Sequence, residues 1–169
     1  MLHDVGRGRE RAPGAPGAKI TRRRAAAAIL VACVVLPAYA GARTSAVSSD
    51  AYEQRIVERV NAERTRRGLR PLRVGRCADG FASRWSARLA QGGSLRHQSM
   101  RKVLDTCDAR RAAENVGQGA VSAERMVELW MRSRRHRANL LDARFSRIGV
   151  GAARSRSGDW YAVTNFLAY

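Results

Sequence analysis

The chain has 169 residues, enough for one domain of ordinary size. It carries 32 lysine and arginine residues against 14 aspartate and glutamate residues, a formal net charge of +18 at pH 7 with histidine neutral. Such an excess attracts anionic polymers and lipid headgroups without specificity. Because the sequence contains no nucleic-acid reader motif and few interleaved aromatic residues, we expect no specific nucleic-acid partner.

Residues 1–40 are predicted to be an n-region and a secretory signal peptide. Three arginines at positions 22–24 precede an apolar run at 25–36, and the small-x-small tripeptide AYA follows at 38–40. The apolar run is shorter than the ~20 residues that a bilayer span needs. The sequence therefore predicts cleavage after Ala40 and secretion, with no transmembrane segment left in the mature chain.

Cys33 leaves an alternative to secretion open. The segment LVAC at residues 30–33 resembles the lipobox of bacterial lipoproteins, which would make Cys33 a lipid anchor. The residues after it stay apolar, whereas a lipoprotein tether normally turns polar at this point. Release is therefore the first prediction, and a lipoprotein anchored through Cys33 is the alternative.

The mature chain keeps a strongly basic balance. Removal of seven basic and two acidic leader residues leaves 25 basic and 12 acidic side chains, a net charge of +13. Residues 41–50 are predicted to be a short polar linker and residues 51–169 one folded domain.

The pattern of apolar residues predicts helices first and a β-hairpin last. Spacings of three and four predict helices at about residues 50–68, 78–91, 100–104 and 122–133. Asp50 is the expected N-cap of the first helix. Two strand-like segments at 147–154 and 160–169 flank the turn-rich SRSGD, which indicates a hairpin. This order predicts an α+β layered domain.

Cys77 and Cys107 are an even pair once Cys33 has left with the signal. In an oxidising compartment they have one intramolecular pairing. The loop between them spans 30 positions, for which the chain-entropy model gives about 3.5–4 kcal/mol of stabilisation. Two buried thiols and a metal site are the alternatives, and the metal site is disfavoured because there is no CxxC motif or nearby histidine.

Two histidines and one glutamate are candidates for chemistry. His97 in SLRHQSM and His136 in SRRHRANLL are both predicted in loops just past a helix. Neither has the i, i+4 partner of a local metal motif, so spacing alone favours ordinary exposed or hydrogen-bonded histidines. Glu114 lies among small residues in AAENVGQGA. It is either a turn or N-cap residue, or a carboxylate at the floor of a cleft that orients a histidine or a ligated water.

Four segments of the chain occur in the order of a known family. They are IVERVNAERTRRGLRPLRV, CADGFASRWSARLAQGGSLRH, AAENVGQG and LWMRSRRHRANLLDARFSRIGVG. Together they resemble the CAP superfamily, or SCP domain, of cysteine-rich secretory, antigen-five and pathogenesis-related proteins in its bacterial secreted form. The resemblance implies a three-layer α-β-α sandwich with a central antiparallel sheet. It also supports a disulfide between Cys77 and Cys107, where many bacterial members carry a cysteine pair.

The resemblance further implies a cleft whose histidines and acidic residues hold a divalent ion such as zinc or magnesium. The two metal-binding histidines fall on His97 and His136, and the carboxylate of the cleft falls on Glu114. Ser99 and Asn115 are expected to lie beside them in the cleft.

The sequence departs from the family pattern next to this cleft. The second acidic position of the family falls near Ser133, so that carboxylate is missing, and Glu128 cannot be aligned to its role. Arg134 and Arg135 replace a Pro-Gly turn. Their like charge is expected to lower the pKa of His136.

Three functions are consistent with these residues. The first is a secreted, monomeric binding module that holds zinc or magnesium weakly, together with a lipid, a sterol or an anionic cell-envelope ligand. The second is a metal-assisted, peptidase-like hydrolase acting through His97, Glu114 and His136. It is disfavoured because Ser99 shows neither an aligned base nor an oxyanion hole. The third is a cationic binder of anionic envelope polymers.

Overall fold

The structure is a computed structural model that describes residues 47–169. The predicted signal peptide, the cysteine of the alternative lipid anchor and most of the linker lie outside these residues. The helices are α1 (Ser49–Thr65), α2 (Arg76–Gly92), α3 (Met100–Cys107), α4 (Ala123–Arg132) and α5 (Arg134–Leu140). The strands are β1 (Arg73–Val74), β2 (Arg111–Gly119), β3 (Arg147–Arg154) and β4 (Trp160–Ala168). Between residues 47 and 169, none of the helices has the length and apolar character of a membrane span.

The four strands form one sheet in the order β1-β3-β4-β2. The predicted hairpin is the antiparallel pair β3–β4, and β2 continues the antiparallel pairing on the other side of β4. Short β1 adds to the outer edge of β3 in parallel, so the implied antiparallel sheet has one parallel edge. The apolar pattern does not predict β2, because glycine and asparagine weaken its strand signal.

Helices cover both faces of the sheet. One core packs α1, α4 and α5 on the first face and includes Tyr52, Ile56, Met126, Trp130, Leu140, Ile148 and Phe166. On the second face, α2 and α3 pack in two smaller clusters that include Ala82, Leu89, Val103, Val116, Val163 and Leu167. The α+β fold with three layers, α-β-α, is therefore confirmed.

Two glycines of the IGVG segment bring α2 directly onto the sheet. A Cβ atom on Gly149 would overlap the backbone of Ala78, and one on Gly151 would overlap the backbone of Ala82. Any larger residue would push the helix away from β3. The close approach fixes the position of α2, whose C-terminal end leads to His97.

The disulfide predicted between Cys77 and Cys107 is confirmed, with Cα atoms 5.7 Å apart. It joins the first turn of α2 to the last residue of α3, just before β2 begins. The alternatives of two free thiols or a cysteine metal site are therefore wrong. The bond limits how far the segment that carries His97 can move from the sheet.

Helix α1 begins slightly earlier than its pattern predicts. Ser48 is its N-cap, because its side chain accepts a hydrogen bond from the backbone nitrogen of Ala51 at 3.2 Å. Asp50, the expected cap, lies instead in the first helical turn. A carboxylate there still stabilises the positive end of the helix dipole.

Candidate functional site

Glu114 lies in the middle of β2, and only 1% of its side chain is exposed. Its Oε1 contacts Nδ1 of His97 at 2.6 Å and accepts a hydrogen bond from the backbone nitrogen of Gln98 at 3.2 Å. Its Oε2 accepts one from Nε2 of Gln98 at 2.7 Å. Burial raises the pKa of Glu114, and the bonds to Gln98 and His97 oppose that rise. Glu114 is thus neither a turn residue nor an N-cap, and it orients a histidine.

His97 lies in the loop between α2 and α3, as predicted, with 61% of its side chain exposed. When Glu114 is ionised its oxygens can only accept, and Nδ1 of His97 is then the donor of this hydrogen bond. No hydrogen bond among the described residues engages the other ring nitrogen, Nε2. The imidazole is therefore anchored at one nitrogen and available to a ligand at the other.

His136 lies on α5, and its predicted position in a loop is wrong. Ser133 ends α4 and also caps α5, so the break between the two helices is a single residue. Burial lowers the pKa of His136, and the nearby charge of His97 lowers it further. The direction matches the prediction, but the cause is not the exposed Arg134 and Arg135, whose charges water screens.

Asparagine side chains hold α5 against β2 next to the histidines. Asn115 is fully buried and donates from Nδ2 to the carbonyl of His136 at 3.1 Å. Asn139 donates from Nδ2 to Oδ1 of Asn115 at 2.9 Å and to the carbonyl of Glu114 at 3.1 Å. Asn115 was expected in the cleft beside the histidines, and it is found in the support beneath them.

A second polar link continues from the cleft into the sheet. Nε2 of Gln98 also donates to Oδ1 of Asn165 at 3.1 Å, and Asn165 pairs with Glu114 across β4 and β2. Asn165 in turn donates to the carbonyl of Ala78 on α2 at 3.2 Å. No sequence motif singles out Gln98 or Asn165, although Gln98 directly follows His97 in RHQS.

Ser99 is occupied by a structural role. Its hydroxyl caps α3 by accepting a hydrogen bond from the backbone nitrogen of Lys102 at 3.3 Å. Within residues 47–169 it forms no hydrogen bond with His97 or His136. This arrangement lacks the nucleophile–base contact that a catalytic serine needs.

Glu128 does not replace the missing second acid. Its carboxylate forms ion pairs with Arg125, at 2.7 Å, and with Arg132 on the solvent side of α4. Ser133 occupies the aligned position and caps α5. Among residues 47–169, Glu114 is therefore the one carboxylate that contacts either histidine.

A metal ion needs more donors than this arrangement offers. Within residues 47–169, no group of three or more histidine, cysteine, aspartate or glutamate side chains is arranged to hold one. A catalytic zinc site takes three protein ligands and one open position. Because Glu114 is engaged by His97 and Gln98, only the imidazoles of His97 and His136 remain as donors. The described residues do not fit a three-ligand catalytic centre, and the two imidazoles remain as candidate donors for an open site.

The described residues form a disulfide-linked α-β-α sandwich in which His97 contacts the buried Glu114 of β2, at one edge of the sheet. The sequence profile of the cysteine-rich secretory protein (CAP) family matches residues 57–166, and the chain belongs to this family.

Bacterial relatives agree with this assignment. The chain is 37% identical to the protein YkwD of Bacillus subtilis strain 168 over 123 residues, which cover 68% of this chain and 48% of YkwD. It therefore spans about half the length of that relative.

Solved structures share the fold at lower identity. An extracellular SCP-domain protein of Bacillus anthracis matches with a TM-score of 0.64 and 22% identity, over 72% of this chain and 41% of its own. An outer surface protein of Borrelia burgdorferi matches with a TM-score of 0.63 and 16% identity, over 68% of this chain and 90% of its own.

Proposed function

We propose that the chain is an exported binding module whose cleft, formed by His97, His136 and Glu114, binds a divalent cation such as zinc together with an envelope ligand. The observation that carries the proposal is the 2.6 Å contact between Nδ1 of His97 and the buried Glu114. Histidines that bind metals almost always donate their other ring proton to such a carboxylate, which fixes the ring and its tautomer.

His136 supplies the second imidazole of the proposed site. Its lowered pKa keeps it neutral at pH 7, which is the form that binds a metal ion. Two protein ligands leave coordination positions open, so a bound zinc ion would present positive charge to an oxygen atom of the ligand. The buried Asn115 and the half-buried Asn139 hold the backbone of His136 in place before anything binds.

The contacts favour binding over hydrolysis. Ser99 is engaged as the cap of α3, and both oxygens of Glu114 accept hydrogen bonds from His97 and Gln98. Neither side chain is free to act as a nucleophile or as a base toward water. The hydrolase alternative would need both contacts to rearrange.

Three observations support export. Residues 1–40 have the pattern of a signal peptide, and the described domain contains a disulfide, which persists in oxidising compartments. Structures with the same fold come from an extracellular protein and an outer surface protein. Anchoring through Cys33 is the alternative to release.

Zinc titration of the mature protein at pH 7 tests the proposal. We expect weak binding that falls at least about tenfold in the double variant His97→Ala/His136→Ala, because two donors are lost. Arg101→Ala/Arg132→Ala, which changes two exposed side chains on α3 and α4, is the matched control and should bind as the wild type does. Equal zinc affinity in wild type and the histidine variant would remove the metal site.

The same preparation distinguishes the hydrolase alternative. We expect no turnover of a broad library of peptides and esters, with or without added zinc. Turnover that disappears in Glu114→Gln would establish catalysis and overturn the binding role.

The net charge favours a second function. A mature charge of +13 predicts retention on anionic envelope polymers that falls steeply with salt and does not depend on the histidines. The two functions are compatible, because charge attracts the protein to the envelope and the cleft selects the ligand.

A further inference from the structure

A separate concave site lies at the β1 edge of the sheet. Its cavity has a volume of about 640 Å³, and its walls include Arg70, Pro71, Arg73, Arg144, Phe145 and Arg147. We call it the arginine groove. Because β1 and β2 occupy opposite edges of the sheet, the groove is distinct from the cleft beside Glu114.

The groove concentrates positive charge that the described residues do not neutralise. Arg73 and Arg147 are direct neighbours in the parallel pairing of β1 and β3, where like charges repel. Within residues 47–169, no carboxylate forms an ion pair with Arg70, Arg73 or Arg147. An anion that binds between these arginines would relieve their mutual repulsion.

Arg144 is the one paired cation of the groove. It donates from Nε to Oδ1 of Asp142 at 2.8 Å and from Nη2 to Oδ2 at 2.6 Å. Asp142 thus holds this guanidinium in place at the rim. The groove still has four guanidinium groups against one carboxylate.

The two walls of the groove are fastened to the same buried side chain. Arg64 is fully buried and donates to the carbonyl of Arg70 at 2.9 Å and to that of Asp142 at 3.0 Å. The backbone nitrogen of Arg73 also donates to the carbonyl of Ser146 at 3.1 Å across the groove. The backbone that carries the arginines is therefore fixed before a ligand arrives, which reduces the entropy lost on binding.

We propose that the arginine groove binds a phosphate-bearing ligand. A planar carboxylate carries one charge and accepts two parallel hydrogen bonds from a single guanidinium group. A phosphate directs its oxygens toward several guanidinium groups at once. The cavity lies within the ~300–1,000 Å³ range of ligand pockets, larger than a single phosphate ion fills. The phosphate therefore belongs to a larger molecule, either a phosphate-containing polymer or the headgroup of a lipid.

Binding is measured by titrating the mature protein with pyrophosphate, and separately with phosphatidylcholine vesicles with and without phosphatidylglycerol. The groove variant is Arg73→Gln/Arg147→Gln. The matched control is Arg101→Gln/Arg132→Gln, which removes the same charge from exposed helix positions. We expect the groove variant to bind at least about tenfold more weakly and the control to change less than about twofold, because only the first loses charge-assisted hydrogen bonds.

The outcomes separate the two sources of phosphate. Pyrophosphate binding that depends on the groove indicates a soluble or polymeric phosphate. Retention only on vesicles with phosphatidylglycerol, lost in the groove variant, indicates a lipid headgroup. Equal weakening in both double variants, no binding by the wild type, or equally good binding of acetate would overturn the proposal. Zinc binding should be unchanged in the groove variant, so failure here leaves the cleft unaffected.

Discussion

Asn139 on α5 donates a hydrogen bond to the main-chain carbonyl of Glu114 on β2, across 3.1 Å. The same nitrogen donates to Asn115, which donates to the carbonyl of His136. The strand residue whose side chain orients His97 is therefore also tied, through its backbone, to the helix that carries His136. These hydrogen bonds between α5 and β2 fix the position of the helix that carries His136 relative to the strand that carries Glu114.

Replacing Asn139 with alanine should lower the free energy of unfolding by about 1–3 kcal/mol. The carbonyl oxygen of Glu114 and Oδ1 of Asn115 would both lose the half-buried group that donates to them. Urea denaturation measures the change. Arg137→Ala, at an exposed position of the same helix, is the control and should stay within about 0.5 kcal/mol of the wild type. Equal effects of the two substitutions would show that Asn139 does not hold α5 in place.

Glu114→Gln should weaken zinc binding by about 10–100-fold, the usual effect of losing a carboxylate behind a metal-bound histidine. An amide is a weaker acceptor for His97, and its NH₂ group would face the donor Nε2 of Gln98. Isothermal titration at pH 7 measures the affinity, with the exposed Glu128→Gln as control. Zinc affinity that is insensitive to Glu114→Gln would mean that the carboxylate does not support a metal ligand.

Short motifs in the sequence single out His97, Glu114 and His136, and the contact between His97 and Glu114 is found. The structure that supports these residues is less evident, because it depends on segments far apart in the chain. The sequence does not predict β2, because its small and polar residues form a strand only when β4 pairs with them. The sequence also does not predict that His136 lies on a helix. Ser133 alone separates α4 from α5, and the spacing of apolar residues does not reveal a break of one residue.

Arg64 shows the same limit for a charged residue. Arginine side chains are rarely fully buried, yet that of Arg64 on α1 is. It donates to the carbonyl of Arg70 and to those of Leu140 and Asp142, which belong to two segments far apart in the sequence. Burial lowers the pKa of Arg64, and the charge of Asp142 opposes that change. Only the tertiary fold brings these carbonyls together, so no local pattern reveals the role.

Replacing Arg64 with methionine should cost about 3–5 kcal/mol of unfolding free energy, because buried carbonyls lose their donor, each at ~1–3 kcal/mol. Arg66→Met, on the same turn, should cost under about 1 kcal/mol, because Arg66 is exposed and its buried partner Glu63 keeps ion pairs with Arg59 and Arg67. Urea denaturation of both variants gives the comparison, and Arg64→Lys keeps the charge if the methionine variant does not fold. Similar costs for Arg64→Met and Arg66→Met would contradict the role assigned to Arg64.

The outer edge of β3 beyond β1 is covered by carboxylates instead of another strand. Glu53 accepts a hydrogen bond from the backbone nitrogen of Ala152 at 2.7 Å, and Asp79 accepts one from that of Val150 at 3.1 Å. Burial raises the pKa of Glu53 to about 7, with Asp79 adding to the rise and the Ala152 nitrogen opposing it. An edge closed in this way is protected from pairing with another chain.

This raised pKa predicts how stability depends on pH. Between pH 4.5, the ordinary pKa of a glutamate, and about 7, the folded protein keeps a proton on Glu53 that the unfolded chain has released. The free energy of unfolding therefore falls as pH rises through this window. Glu53→Gln carries no titrating proton and still accepts from Ala152, so it should lose less stability between pH 5 and pH 8 than the wild type. Urea denaturation at both pH values measures the difference, with the exposed Glu58→Gln as control. Parallel pH profiles of the wild type and Glu53→Gln would show that Glu53 ionises normally in the folded protein.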